Sequence, residues 1–467
     1  MQRQRPIQRA LGWALAVGLT LGGLPLAAVE HPVVWRADRN QLDANIENRP
    51  LEEVLQGLAG ATGWDVFLEN RTERTVTTWF EKLPPPEALR RLLGDLNFSL
   101  LASSNAVPKL FIYRTSVENA TQRIQPPKTD AGQATARAIG NELIVRLKSG
   151  ARETIDQLAA RLGAKVVGRL DDLRAYRLQF EDDTAATRAK TQLADSDSVE
   201  SVDLNYVLEP PARLQPLPIS GGAPLGVRPA VAANSDYTVV ALIDTAVNGD
   251  KSPAKDFLLP GVSAAGTTAA PSDQLSHGTA MAETILQGLA LTPQDVQGSK
   301  VRILPIDVYG SSGTTTTFDV ARGLNLAAGA GPKVINLSLG SDADSPFLHE
   351  LIQDLAKRGM LIVAAPGNEP VTTPVYPAAY PEVLAPTAGD RNGNVASYAN
   401  RGTFVDMMVP GTSVVHYNDQ TYLGTGTSFS AALTSGLAAG YVASSGKSPT
   451  DVAAELRQKY PFKPPGQ

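Results

Sequence analysis

The stretch TVVALID (238–244) decides the fold class, because it is a continuous apolar run that ends in an aspartate. Strands that are buried on both faces of a parallel sheet have this character. Four similar runs follow: VRILPIDV (301–308), KVINLSL (333–339), LIVAA (361–365) and VLAPTA (383–388). Helical patterns lie between them, such as HGTAMAETILQGLA (277–290) and FLHELIQDLAKRG (347–359). This alternation predicts an α/β region over about 236–460, with a parallel sheet covered by helices on both faces.

Four polar residues lie at the edges of these elements and form a candidate catalytic set. Asp244 ends the first strand, His277 opens a helix, Asn368 follows another strand, and Ser428 opens the helix in GTGTSFSAALTSG (424–436). In open α/β sheets, sites gather beyond the carboxyl ends of the strands, and helix N-termini favour developing negative charge. Each residue alone has a simpler interpretation as a cap or a turn residue. Together, in the order Asp, His, Ser, they predict a serine nucleophile with its base and orienting acid.

The motifs around these residues follow one another in a fixed order over nearly all of 236–440. They are ALIDTAV, HGTAMAE, VINLSLG, AAPGNE, YPAAYPEVLAPTAGDRNGNVASYANRG, VPGTSV and GTSFSAA. In this order they resemble the motifs of the subtilisin-like serine proteases, or subtilases, and the resemblance implies a subtilisin-like fold.

The resemblance also implies a role for each candidate residue. Ser428 attacks the scissile carbonyl, His277 transfers the proton, and Asp244 orients His277. The side-chain amide of Asn368 and the backbone N–H of Ser428 stabilise the oxyanion. The substrate pocket is expected to be lined by Ser338, Leu339, Gly340, Ala364, Ala365 and Pro366. A segment from 310 to 315, which includes Gly313, is expected to pair with substrate as an edge strand.

The chain departs from the family pattern at three positions. Ala246 stands where glycine is usual after Asp-Thr, and Ala432 stands where proline is frequent after the nucleophile. Pro366 precedes the Gly-Asn pair and removes a backbone N–H beside the oxyanion loop. These departures bear on efficiency and substrate range, but none removes a reacting group. The remaining histidines are not predicted to be the base, because they lack a Gly-Thr partner motif: His31, His349 and His416.

Residues 139–209 precede the α/β region and contain two strand–helix–strand patterns, which predict a small ferredoxin-like sandwich. NELIVRLKSG, LGAKVV and VESVDLNYV resemble the propeptide of subtilisin-like proteases, which implies a chaperone and inhibitor of the region that follows. Residues 210–235 are rich in proline and glycine and are predicted to be an exposed linker suited to proteolysis.

Residues 38–114 contain a strand–helix pattern that occurs twice, in IENRPLEEVLQGLAGATGWDV and LPPPEALRRLLGDLNFSL. These motifs resemble the short N-terminal domain of secretins and TonB-dependent receptors, which implies a protein partner in the cell envelope. Residues 115–138 are polar and contain two prolines, so they are predicted to be a linker.

Residues 1–28 have the layout of a cleaved export signal. Arg3, Arg5 and Arg9 form a basic start, an apolar run covers 11–26, and Ala27 and Ala28 supply small residues for cleavage. The alternative is a membrane anchor, for which the run is short and is broken by glycines and a proline. We therefore expect an exported protein, located in the periplasm, the cell envelope or the extracellular space.

The composition argues against several classes of function. The chain has no cysteine, which excludes disulfides, thiolate metal sites and cysteine nucleophiles. Its net charge of −5 gives no indication of nucleic-acid binding, and four histidines argue against a His-rich metal centre. The predicted chemistry requires no cofactor. A structural calcium ion is left open by the resemblance, but no acidic loop is distinctive enough to assign its ligands.

Two functional hypotheses remain. The first is an exported endopeptidase, made as a zymogen, that cleaves protein or peptide substrates and has its own propeptide as a partner. The second is a catalytically weak or inactive envelope protein that keeps the subtilase fold for binding. The intact set Asp244, His277, Asn368 and Ser428 favours the first hypothesis. Covalent reaction of Ser428 separates the two.

Overall fold

The computed structural model describes residues 33–69, 72–103, 106–124, 137–194, 196–208, 213–220, 225–230, 237–266 and 274–463. The export signal predicted over 1–28, and His31, lie outside the described residues. Among the helices in these ranges, none is both long and apolar enough to cross a membrane.

The first domain contains two sheets and two helices. One sheet has the order β1-β2-β4, formed by β1 (Val33–Arg36), β2 (Gln41–Pro50) and β4 (Thr75–Leu83). The other has the order β5-β6-β3-β7, formed by β3 (Asp65–Glu69), β5 (Asn97–Ser103), β6 (Ala106–Tyr113) and β7 (Ala120–Ile124). Helices α1 (Leu51–Thr62) and α2 (Pro85–Leu93) bury their leucines against these sheets.

Strand β7 lies inside the segment 115–138, so the linker predicted there is wrong for residues 120–124. The strand pairs antiparallel with β3, and Ala120, Thr121 and Ile124 are buried. Ile124 is the single large apolar residue of this strand, so the sequence shows little periodicity here. Residues 125–136 lie outside the described ranges.

The second domain consists of β8 (Ala138–Leu147), α3 (Ile155–Leu162), β9 (Lys165–Leu170), β10 (Ala175–Gln179), α4 (Asp183–Ala194) and β11 (Val199–Leu208). Its strands lie in the order β11-β8-β10-β9 with antiparallel neighbours, which is the ferredoxin-like arrangement. Thr154 and Gln157 form a capping box that starts α3. A short strand of the third domain, β16 (Thr315–Thr316), extends this sheet by pairing with the end of β11.

Residues 213–220 form a strand rather than the exposed linker predicted over 210–235. This strand, β12 (Arg213–Ser220), pairs antiparallel with β23 (Gln420–Thr425), which pairs with β22 (Thr412–Tyr417). Because β12 is at the edge of this sheet, it tolerates two prolines that cannot donate to a ladder. The apolar side chain of Leu214 packs against the core of the third domain.

The third domain confirms the α/β fold class. Its parallel sheet has the order β14-β15-β13-β17-β18-β19, formed by β13 (Thr238–Asp244), β14 (Val262–Ser263), β15 (Val301–Asp307), β17 (Val334–Leu337), β18 (Leu361–Ala364) and β19 (Val383–Leu384). A separate parallel pair joins β20 (Pro386–Gly389) to β21 (Met407–Pro410). Each predicted apolar run supplies one strand of the main sheet, and the last run is divided between β19 and β20.

Helices cover both faces of this sheet. Helices α6 (Thr317–Ala330) and α7 (Pro346–Lys357) pack on one face. The other face carries α5 (His277–Ala290), α8 (Thr427–Ser445) and α9 (Pro449–Lys459). The carboxyl end of β13 and the N-termini of α5 and α8 carry Asp244, His277 and Ser428, and Asn368 lies in the loop after β18.

Candidate functional site

Asp244 and His277 are brought into hydrogen-bond contact by the end of β13 and the start of α5. Nδ1 of His277 lies 2.7 Å from Oδ1 of Asp244, which also accepts a bond of 2.7 Å from the backbone N–H of Thr245. Asp244 is 1% exposed. Because a carboxylate can only accept, the contact assigns the proton to Nδ1 and leaves Nε2 as an acceptor.

The start of α5 is held close against the end of β13. A Cβ atom at Gly278 would lie 2.2 Å from the carbonyl oxygen of Thr245, so a larger residue directly after His277 would separate the two elements. Ser276 caps the helix and donates from Oγ to the carbonyl oxygen of Ala246 at 2.7 Å. Since this contact uses only the backbone of Ala246, it does not depend on the glycine that the family usually has there.

Ser428 is the second residue of α8, and α8 runs beside α5 in the same direction. Ile285 faces Gly436, and Thr292, just after the end of α5, faces Gly440, so the N-termini with His277 and Ser428 lie at the same end. Nε2 of His277 is buried and has no hydrogen-bond partner among the described residues. Ser428 is fully buried, and its Oγ donates to the carbonyl oxygen of Ser338 at 3.4 Å.

Asn368 is held beside the start of α8 by Thr427. Oδ1 of Asn368 accepts from the backbone N–H of Thr427 at 2.7 Å and from its Oγ1 at 3.0 Å. Because a backbone N–H can only donate, the accepting atom is Oδ1, and Nδ2 is left to donate to another oxygen. Thr427 Oγ1 also accepts from the backbone N–H of Gly367 at 3.2 Å. Our sequence analysis missed Thr427, and its one signal was its position directly before Ser428.

A buried chain of hydrogen bonds ties β17 to the first turns of α8. Oγ of Ser338 donates to the carbonyl oxygen of Ser428 at 3.2 Å and accepts from Nδ2 of Asn336 at 3.0 Å. Oδ1 of Asn336 accepts from Oγ of Ser435 at 3.0 Å. Asn336 and Ser435 were also missed, although a fully buried asparagine within an apolar run marks a position that needs polar partners.

A cavity of about 420 Å³ lies beside Asn368. Of the residues predicted for the substrate pocket, Gly340 lines this cavity, together with Gly367 and Val375. The other predicted pocket residues are buried: Ser338, Leu339, Ala364, Ala365 and Pro366. Gly313 is exposed in the loop before β16.

The second domain docks beside this site through the end of β11. Val207 pairs with Thr316, and Leu208 pairs with Thr315, which is the last residue of the segment that was expected to pair with substrate. Oδ1 of Asn205 accepts from the backbone N–H of Phe318, in the first turn of α6, at 3.1 Å. Strand β11 therefore approaches the candidate site as an extended segment, and its Val207 lines the cavity together with Asn368.

Asp203, also on β11, accepts hydrogen bonds from the start of α7, just as Asn205 does from the start of α6. Its Oδ2 accepts from Oγ of Ser345 at 2.6 Å and from the backbone N–H of Phe347 at 3.2 Å. Burial raises the pKa of Asp203, and these hydrogen bonds oppose the rise. A carboxylate at a helix N-terminus satisfies N–H groups that lack a partner within the helix.

Two other histidines pair with carboxylates elsewhere in the third domain. Nε2 of His349 lies 2.9 Å from Oε2 of Glu382, and Nδ1 of His416 lies 2.8 Å from Oε1 of Glu283. A carboxylate partner alone therefore does not distinguish His277. The distinguishing features are its position at the same end of the paired helices as Ser428 and a buried Nε2 that has no partner among the described residues.

Comparison with known protein families assigns the second and third domains. Residues 235–459 match the model of the peptidase S8, or subtilase, family. Residues 124–205 match the model of the fervidolysin N-terminal prodomain. The resemblance of residues 38–114 to the secretin and TonB short N-terminal domain, and the envelope partner that it implies, stay predictions.

Individual proteins show the same likeness. The chain is 31% identical over 221 residues to thermitase from Thermoactinomyces vulgaris, an alignment that covers 46% of this chain and 78% of thermitase. It is 32% identical over 238 residues to the thermophilic serine proteinase of Bacillus sp. (strain AK1), covering 49% of this chain and 57% of that protein.

Among solved structures, the chain is similar to fervidolysin from Fervidobacterium pennivorans, which is described as a keratinolytic enzyme related to subtilisin. The TM-score is 0.52 at 20% identity, and the match covers 69% of this chain and 57% of fervidolysin. At this identity the likeness concerns the fold.

Proposed function

The chain belongs to the subtilase family, and from that premise we propose that it is an exported serine endopeptidase that is made as a zymogen. The observation that carries the proposal is the hydrogen bond of 2.7 Å between Asp244 and His277. It leaves the unpartnered Nε2 of His277 at the same end of the paired helices as Ser428. A serine becomes a nucleophile when an oriented base accepts its proton.

The proposed reaction follows from these positions. Nε2 of His277 accepts the proton of Ser428 Oγ, which attacks the carbonyl carbon of a peptide bond, and the new imidazolium is stabilised by Asp244. The carbonyl oxygen becomes an anion that accepts hydrogen bonds from Nδ2 of Asn368 and the backbone N–H of Ser428. His277 then gives the proton to the leaving amine, and water releases the acyl group from Ser428 in a second cycle. These steps use side chains and backbone only and need no cofactor.

The zymogen proposal is supported by the docking of the second domain. Its last strand pairs with Thr315 and Thr316, and Ser428 is fully buried in the uncleaved chain. We infer that the second domain blocks substrate until the chain is cut between about 209 and 236. Because β12 is anchored on β23, we expect cleavage outside residues 213–220.

A mass measurement with a serine-directed probe tests the proposal. The chain without residues 1–28 is compared with Ser428→Ala while a fluorophosphonate is added over time. We expect the parent to be cut between about 209 and 236 and to gain one probe, while Ser428→Ala stays whole and unlabelled. If the parent is not cut on its own, and Ser428 stays unlabelled even after another protease has removed the second domain, the proposal is wrong. The chain then acts by binding rather than catalysis.

A further inference from the structure

The acidic and the basic residues that line the cavity beside Asn368 come from different domains. The third domain contributes Asp342 and Glu369, and every basic lining residue precedes β12 in the chain, namely Arg123 and Arg137. Among the described lining residues, the third domain contributes no cation. The part of the cavity wall that the third domain supplies is therefore acidic.

The first domain supplies the countercharges in the uncleaved chain. Nη1 of Arg123, on β7, lies 3.2 Å from Oδ2 of Asp342, and both side chains are 19% exposed. Nζ of Lys109, on β6, lies 2.6 Å from Oε1 of Glu369. The backbone N–H of Thr372 donates to the carbonyl oxygen of Thr121 at 2.9 Å, which holds β7 against this wall. In the uncleaved chain, a guanidinium therefore already lies beside Asp342 in the lining of the cavity.

The cavity also has the position of a substrate pocket. It is lined by Asn368, whose Nδ2 is available for the oxygen of the attacked carbonyl, and by Gly367 and Gly340. A residue whose carbonyl oxygen binds Asn368 has its own side chain next to these glycines. The residue on the N-terminal side of the cleaved bond is thus the one that enters the cavity.

We propose that this cavity selects an arginine or lysine side chain of the substrate, with Asp342 and Glu369 as the residues that determine the specificity. The proposal rests on the proposed peptidase function. Once the first domain has left, Asp342 and Glu369 line the cavity without these cations, and a cationic substrate side chain that takes the place of Arg123 and Lys109 regains charge-assisted hydrogen bonds to the carboxylates. An apolar side chain would instead desolvate both carboxylates without a partner.

Isosteric substrates test the proposal. The full chain, expressed without residues 1–28 and allowed to mature, is assayed on two fluorogenic peptides that differ only in arginine or citrulline before the cleaved bond. Citrulline keeps the shape and loses the charge. We expect kcat/KM to be at least about tenfold higher for arginine, a factor that corresponds to one charge-assisted hydrogen bond. We also expect this ratio to fall as ionic strength rises, because salt screens partly exposed charges.

Variants assign the preference to the two carboxylates. Asp342→Asn and Glu369→Gln should each lower the arginine-to-citrulline ratio about tenfold or to unity. Asp354→Asn, on α7, removes the same charge away from the cavity and should leave the ratio unchanged. All rates are expressed per serine labelled by a fluorophosphonate, so that misfolded protein does not enter the comparison.

The outcomes separate this inference from the proposed function. Efficient cleavage of a leucine peptide with equal rates on arginine and citrulline overturns the inference and leaves the peptidase intact. A ratio that neither variant lowers also overturns it. If no peptide is cleaved and Ser428 is not labelled, the proposed function fails and the inference falls with it.

Discussion

The contact between α5 and α8 predicts that Gly436→Ala destabilises the third domain. A Cβ atom at Gly436 would lie 1.9 Å from the carbonyl oxygen of Ile285 and 2.8 Å from the backbone nitrogen of Leu289. The usual separation between carbon and oxygen is about 3.3 Å or more, so the helices would have to move apart by about 1.4 Å. Both atoms that the added Cβ would contact belong to the backbone, so the clash cannot be relieved by rotating a side chain.

The magnitude follows from two opposing effects. Overpacking of a core costs about 1–3 kcal/mol, and contact with a rigid backbone favours the upper end. Alanine regains about 0.8–1.0 kcal/mol over glycine in a helix. We therefore expect a net loss of about 2 kcal/mol in the free energy of unfolding. For a domain of this size, that loss lowers Tm by about 4–8 °C.

Gly329→Ala is the matched control. Gly329 lies in the last turn of α6, is exposed, and has no atom within 4 Å of an added Cβ. Because both substitutions exchange glycine for alanine in a helix, the difference between them isolates the clash. Thermal and urea unfolding would be followed by circular dichroism in the Ser428→Ala background, which prevents self-cleavage. Equal Tm values for Gly436→Ala and Gly329→Ala would refute the close packing of α5 against α8.

Three further predictions concern the site, the second domain and the first domain. Asn368→Ala should lower kcat about 10²–10³-fold with little change in KM, because it removes an oxyanion donor; this range comes from a subtilisin and not from the present geometry, and steady-state kinetics on a peptide substrate would check it. Asp203→Ala should speed dissociation of the cleaved second domain about 5–30-fold, equivalent to about 1–2 kcal/mol, since two hydrogen bonds to helix α7 are lost. The lag before peptide hydrolysis begins would report this change, and an equal effect of the exposed control Asp172→Ala would contradict it. Burial opposes ionisation of Glu69, but backbone N–H donors outweigh burial and hold its pKa below the usual value. The ionised Glu69 carboxylate therefore stabilises the folded state above its unfolded-state pKa of about 4.3. This stabilisation is lost as the pH falls through the lower pKa that Glu69 has in the folded state. In urea unfolding, the free energy of unfolding should fall less between pH 7 and pH 3 for Glu69→Gln than for the parent. Equal decreases in the two proteins would contradict this explanation.

The strands and the positions of the four candidate residues in the fold could be predicted from the sequence because their signals are local. Each buried strand of the main sheet is a continuous apolar run, and Asp244, His277, Asn368 and Ser428 stand at the ends of such elements. The same local signals placed α1, α2 and the ferredoxin-like domain. The spacing of apolar residues indicates which side chains are buried, and this was enough to predict these helices and strands.

The partners of polar residues could not be predicted in the same way. Oδ2 of Asp203 accepts a hydrogen bond from Ser345, which is 142 positions away in the sequence. Lys109 donates to Glu369, which is 260 positions away. Such contacts depend on how domains dock, and no local pattern encodes docking. Strands β7 and β12 were missed for a related reason, since short or proline-containing edge strands are stabilised by the neighbour they pair with.

If the chain is a zymogen, as proposed, we expect the docking of both domains to determine how long the third domain stays inactive after cleavage. A cut between 209 and 236 leaves a single fragment that holds the third domain at two places, through Arg123 and Lys109 and through the end of β11. Because residues 125–136 join these two contacts, each one keeps the other at an effective concentration on the order of millimolar. We expect such a bivalent fragment to rebind much faster than it escapes. A second cut between residues 124 and 137 would turn it into two monovalent pieces, so we expect a cut in this segment, more than the primary cleavage, to determine when the third domain is released.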